Sequence, residues 1–199
     1  MLCSESPLPH PLMYLPTNCP HPLDAHKILY GVSSALEYLA TKQIEHNDIK
    51  PKNIAYCRDR GAVLFDFGTA TSPLFKGPVG GTPWYMPPEF LETSARGAPG
   101  DIWALGITML YVIGKIEHPN RSSNNWRLNN LRRQDESAHR KALAWLRFIS
   151  KQREKLNQMD NVESLVDRML QKEPTSRIDA AAIVAELKLH GPEPIDPKQ

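Results

Sequence analysis

The sequence predicts a mainly helical domain, α+β overall, and three observations predict it. Apolar residues recur at helical spacing in several separate segments; one segment, Asp101–Ile113, is apolar nearly all round; and only one pair of short apolar runs is joined by a tight turn. Together they describe a helical bundle around a buried central helix, with one small β-hairpin.

The elements follow in order. Residues 1–23 are Pro-rich and lack a helical period, so they read as an extended arm. From Asp24, a candidate N-cap, Ile28, Leu29, Val32, Leu36 and Leu39 share one face and predict an amphipathic helix to about Thr41. Asn53–Cys57 and Ala62–Phe65 are short apolar runs separated by Arg58-Asp59-Arg60-Gly61, a hairpin signal. The stretch Gly68–Pro88 is rich in Gly, Pro and Thr and longer than a simple connector, and such loops tend to carry function.

Beyond the central helix, Gly114–Glu136 is polar and irregular. Ala138–Leu156 returns to helical spacing, with Leu143, Leu146 and Ile149 expected inward and Arg140, Lys141, Arg147, Lys151 and Arg153 outward on a solvated face. Val162, Leu165, Val166, Met169 and Leu170 form a further stripe. After Glu173-Pro174, a last helix is expected from about Asp179 to Leu189, and a Pro-rich tail, 191–199, ends the chain.

Composition narrows the class. With 41% apolar and 23% charged residues in 199, the chain suits one folded domain rather than a disordered segment. A formal charge of +2 gives little attraction to nucleic acid or anionic membrane, so neither is an expected partner. The longest apolar run is about a dozen residues, short of the roughly 20 that span a bilayer, and no secretory signal is visible. Cys3, Cys19 and Cys57 are odd in number and widely spaced, which argues against a disulfide framework or zinc site and suits a reducing cytosolic or nuclear compartment.

The chemistry concentrates in His46-Asn47-Asp48-Ile49-Lys50-Pro51-Lys52-Asn53, which leaves a helix and enters a strand. Asp66-Phe67-Gly68 stands at the end of the second strand, so the hairpin brings the two clusters side by side. Phosphoryl transfer needs a carboxylate to orient and deprotonate the attacking hydroxyl, a cation to offset phosphoryl charge, and hard oxygen ligands for magnesium. Asp48, Lys50, and the pair Asn53 and Asp66 supply those three in that order.

These residues, with Pro87-Pro88-Glu89 downstream, resemble the catalytic loop, the magnesium-binding Asp-Phe-Gly and the Ala-Pro-Glu of the eukaryotic protein kinase family. Lys50, and Gly81-Thr82 before Trp84-Tyr85, look like its serine/threonine branch. The resemblance covers the C-terminal, catalytic-loop lobe over residues 24–190, with a catalytic loop at 46–53, an activation segment at 66–89 and a central helix at about 101–113. It implies ATP and Mg2+ as cofactors and a protein substrate with a Ser/Thr acceptor. By the same resemblance Thr82 seats the substrate hydroxyl near Asp48, and Asp101 braces the catalytic-loop backbone. Arg177 is expected to pair with Glu89, while His46, Phe67 and Gly68 hold the site's framework.

Two departures stand out. Asn47 occupies the position of an Arg that in many kinases receives an activation-loop phosphate, which a carboxamide cannot do. Thr69, Thr71 and Ser72 are available hydroxyls, yet a loop that needs no phosphate is expected. Within the 199 residues no Gly-x-Gly-x-x-Gly and no strand lysine of the Val-Ala-Ile-Lys type precede the lobe, so the ATP-clamping N-terminal lobe is expected to be absent. Leu12-Met13-Tyr14-Leu15-Pro16 fits a remnant of the hinge between lobes, although an extended arm accounts for it better. Three functions remain open: a truncated serine/threonine kinase with weak or no turnover alone, a non-catalytic lobe that binds a partner kinase or lobe-completing protein, and a small-molecule kinase. Gly81-Thr82, Pro88-Glu89 and Arg177 count against the last.

Overall fold

The computed structural model of the chain describes residues 10–11, 22–72, 80–94, 97–119, 127–133 and 135–189. The proposed hinge remnant, the tail from 191 and part of the activation segment, residues 73–79, lie outside them. The described residues form a mainly helical lobe with one small antiparallel sheet. The helices are α1 (Pro22–Thr41), α2 (Phe90–Thr93), α3 (Ala98–Val112), α4 (Leu128–Arg132), α5 (Glu136–Arg153), α6 (Asn161–Met169) and α7 (Ala180–Leu189). The strands are β1 (His10–Pro11), β2 (Ile54–Cys57) and β3 (Gly61–Leu64).

The central helix is α3, and every residue from Gly100 to Val112 is buried. A helix apolar on all sides has no solvent face to present, so its neighbours must surround it. It packs on α6, α1 and the turn at Pro83–Tyr85. The five apolar residues predicted for one face of α1 are all buried, and that helix lies against β3 and α7.

The hairpin pairs Ile54 with Leu64, Ala55 with Val63, Tyr56 with Ala62 and Cys57 with Gly61. Gly61 takes φ +79° at the turn, a conformation that side-chain-bearing residues rarely adopt. Side chains alternate across β3: Leu64 is buried, whereas Val63 and, just beyond the strand, Phe65 are exposed. His10–Pro11 adds a third, two-residue strand to the outer edge of β2, so part of the Pro-rich arm is sheet.

Several expectations are corrected. Asp24 is not an N-cap, because α1 already begins at Pro22. Its buried carboxylate instead accepts from the Tyr56 hydroxyl and from Arg58, tying α1 to the hairpin. Leu143 is not inward: it is 36% exposed, while Ile149 is fully buried. Helix α5 starts at Glu136, where the Asp135 carboxylate caps it by accepting from the Ala138 N–H, and it ends at Arg153, short of Leu156. The central helix starts three residues before Asp101, and the polar stretch 114–136 contains α4.

Candidate active site

The residues between α1 and β2 are set by the anchor beneath them. Asp101, on the first turns of α3, is 4% exposed and accepts two backbone hydrogen bonds, from the N–H of His46 at 2.7 Å and of Asn47 at 2.8 Å. These amides belong to irregular backbone under the surface, where an unpaired N–H is costly, and one carboxylate satisfies both. Asn47 takes φ +66°, in the left-handed region, immediately before Asp48.

Asp48 is the hub. Its Oδ1 accepts from the Thr82 hydroxyl at 2.8 Å, and its Oδ2 accepts from Lys50 Nζ at 2.6 Å and Asn53 Nδ2 at 3.1 Å. Lys50 Nζ also donates to Thr82 Oγ1 at 2.8 Å, closing a triangle between residues up to 34 apart in sequence. A carboxylate offers about four acceptor sites, and these three donors fill three of them. Asn53 further donates to the Asp48 carbonyl at 2.8 Å, which fixes the carboxamide and turns its oxygen away from Asp48.

The hairpin joins this cluster to Asp66. The N–H of Phe65 donates to the Asn53 carbonyl at 3.0 Å, continuing the β2–β3 ladder by one more pair. Asp66 is the next residue and takes φ +64°, so the chain turns as soon as the ladder ends. Its carboxylate is exposed and accepts from the Gly68 N–H at 3.4 Å.

His46 fastens the same corner. Its Nε2 faces the Phe65 carbonyl at 3.1 Å, and its Nδ1 faces the Asp48 N–H at 3.3 Å. A carbonyl only accepts and a backbone N–H only donates, so the neutral Nε2–H tautomer satisfies both. Burial pushes the imidazole pKa down, against a smaller upward pull from the Phe65 carbonyl. The Phe67 ring packs on His46 at 4.9 Å between centroids.

The lower frame is built around Arg177, whose five donors are all used. Two go to the Glu89 carboxylate at 2.9 and 3.0 Å, and the others to the carbonyls of Pro99, Gln171 and Lys172. Its guanidinium also lies over the Trp103 ring, 5.3 Å from the centroid.

The structure thus brings Asp48, Lys50, Asn53 and Thr82 into one hydrogen-bonded cluster, with Asp66 across the hairpin end, and sets Asp101 and the Arg177–Glu89 pair beneath it. Among the described residues no group of three or more His, Cys, Asp or Glu could hold a metal ion. Magnesium asks for less: one or two carboxylate or carbonyl oxygens, with the rest from phosphates and water. The Asp66 carboxylate and the Asn53 amide oxygen meet that demand, so the residues fit the ion. Sequence reasoning missed Glu45, whose backbone and carboxylate both reach Thr71, and Gly31, where α1 closes on β3. Neither belongs to a motif, and only the folded contacts reveal them.

The sequence profile of the protein kinase domain matches residues 13–187. An Aurora kinase of Debaryomyces hansenii is 32% identical over 168 residues, covering 80% of this chain and 36% of that protein. Mitogen-activated protein kinase kinase kinase 17 of Arabidopsis thaliana is 38% identical over 89 residues, 44% of this chain and 24% of its own length. Human serine/threonine-protein kinase DCLK2 is 38% identical over 109 residues, 51% of this chain and 14% of its own length. The chain spans well under half the length of each of these relatives. With the catalytic-loop cluster, the Asp-Phe-Gly turn and the Arg–Glu frame all in place, the chain belongs to the protein kinase family.

Proposed function

We propose that the lobe carries the phosphoryl-transfer chemistry of a serine/threonine protein kinase. The observation that carries this reading is the Asp48–Lys50–Thr82 triangle, a carboxylate held by a cation and a hydroxyl. Asp48 would orient a substrate serine or threonine hydroxyl and take its proton as the new O–P bond forms and the bond to the nucleotide's leaving oxygen breaks. Lys50 would offset charge on the transferred group while holding Asp48 in place. Asn53 and Asp66 would hold magnesium, which when bound neutralises phosphate charge. Thr82, buttressed by Lys50, favours the serine/threonine branch, and the name of one relative, serine/threonine-protein kinase DCLK2, points the same way.

Positioning supplies much of such a reaction, roughly 7–11 kcal/mol in well-oriented systems. The 199 residues offer no glycine-rich loop to cover the phosphates. Weak or absent turnover is therefore expected from this chain alone. A second reading, a binding lobe for a partner kinase or lobe-completing protein, is favoured by one observation. Val63, Phe65 and Phe67 are 55, 38 and 49% exposed around the Asp66 corner, an apolar surface that a second body would cover.

The test is a thermal shift of the chain with ATP, with and without magnesium, beside transfer to serine and tyrosine peptides. A magnesium-dependent shift lost in Asp66→Ala, together with any serine transfer lost in Asp48→Asn, supports the kinase reading. No shift under either condition favours the binding lobe.

A further inference from the structure

Two short segments meet beside the catalytic loop. Glu45 and Thr71 form an isolated antiparallel bridge, each N–H donating to the other's carbonyl at 2.9 Å. Asn47 sits beside the bridge with its carboxamide aimed into it. Its Nδ2 donates to Thr71 Oγ1 at 2.7 Å and approaches the carbonyls of Glu45 and Thr69, both at 3.3 Å. The Thr71 hydroxyl in turn donates to Glu45 Oε2 at 3.1 Å, and the Thr69 hydroxyl donates to the His46 carbonyl at 3.1 Å.

Every link here runs from a neutral donor, and Asn47 is itself rooted to α3 through Asp101. Among the described residues, the hydrogen-bond partners of Thr69 and Thr71 include no Lys or Arg. Among the described residues, the charged group that Thr71 bonds is the Glu45 carboxylate.

We propose that Asn47 is a positioning residue. It latches the start of the segment 66–89 onto the catalytic loop while Thr71 is unmodified, and negative charge at Thr71 opens the latch. Phosphorylation of Thr71 by an ATP-dependent protein kinase would form an Oγ–P bond, break the nucleotide's terminal P–O bond and release the hydroxyl proton to the modifying enzyme. The donor to Glu45 is then gone and an anion stands against that carboxylate, with no Lys or Arg bonded to either residue among the described ones. The ordering of the latch is independent of the kinase reading; only its consequence for turnover rests on it.

Hydrogen exchange on the 199-residue chain, read at the Glu45 and Thr71 amides, tests this. Asn47→Gly keeps the positive φ and removes the carboxamide, and Thr71→Glu adds the charge. Both are expected to speed exchange at the two amides by about tenfold or more, with the amides of α3 unchanged. Thr71→Ser, which keeps the hydroxyl, is expected to exchange as slowly as the wild type. Wild-type exchange in either Asn47→Gly or Thr71→Glu overturns the proposal, as does acceleration spread equally over α3. If Asp48→Asn leaves peptide phosphorylation untouched while the latch behaves as described, the kinase reading falls and the latch stands.

Discussion

Arg177 and Glu89, 88 positions apart, meet in two parallel hydrogen bonds of 2.9 and 3.0 Å, and the Arg177 side chain is fully buried. The guanidinium bonds three backbone carbonyls besides Glu89, so it ties the first turn of α3, the turn after α6 and the end of the segment 66–89 into one node. Such a node is costly to break from the Arg177 side, because the partly exposed Glu89 carboxylate loses its cation and three backbone carbonyls lose their donor together.

Arg177→Met should therefore lower unfolding free energy by about 3–5 kcal/mol, measured by urea denaturation. Arg177→Lys should recover little, since an ammonium cannot fill five donor positions in a plane. A lysine variant within about 1 kcal/mol of wild type would show that charge, and not the planar fork, holds the node.

Helix α1 approaches β3 most closely at Gly31. A Cβ built there would lie 2.6 Å from the backbone oxygen of Ala62, closer than real Cβ contacts come. Alanine would gain up to about 1 kcal/mol of helix propensity. The collision is with backbone, however, and forcing atoms into a packed interface costs typically 1–3 kcal/mol. Gly31→Ala should thus destabilise on balance. Because β3 leads directly into Asp66, it should also weaken any magnesium-dependent thermal shift; an unchanged melting temperature would refute the close approach.

These two positions show what the sequence could and could not disclose. The faces of α1 and α3 were legible because burial repeats with the helix period, and Asp48, Asn53 and Asp66 because three short motifs stood in order across a hairpin. Arg177 and Glu89 could be paired only through the family resemblance, since nothing local links residues so far apart. Gly31 carried no signal: a glycine within a helical stripe looks like a weak helix former until the opposing strand is in place. Asp24 misled for a related reason. An acidic residue ahead of an apolar stripe suggests a cap, but Pro22 is well suited to a first helical turn, and the carboxylate was needed by Tyr56 and Arg58. Leu143 matched the apolar period of α5, yet it stays 36% exposed, because the period marks a stripe and not how far its neighbours cover it.

The buried His46 gives the lobe a pH dependence of definite sign. Its imidazole is held neutral in the fold, with a pKa pushed below the ordinary 6.5 by burial, and His26 is shifted the same way. The unfolded chain therefore binds more protons than the folded one as pH falls through about 6.5, so stability rises with pH across that window and declines on acidification. Above about pH 7.5 both states are neutral and these groups add no slope. His46→Asn should lower stability at every pH by removing the Phe65 and Asp48 contacts, yet flatten the loss between pH 7.5 and 5.5. Denaturation series at the two pH values measure the difference, and an unflattened slope would mean that His46 is not titrating across this range.

Asp101 serves two amides at once, and this makes it sensitive to the smallest change. Asp101→Asn keeps shape and volume but turns one acceptor into a donor, leaving the N–H of either His46 or Asn47 facing an N–H2 group. An unsatisfied buried donor costs about 1–3 kcal/mol, and the cost falls on the backbone that carries Asp48. Stability should drop by that amount, and amide exchange should accelerate at residues 46–48 before it does in α3. Loosening there spreads Asp48 away from Lys50 and Thr82, so any phosphotransfer should lose kcat more than KM for the peptide. Local exchange at wild-type rates, with stability within about 0.5 kcal/mol, would show that water takes over the lost acceptor and that the loop does not depend on the carboxylate.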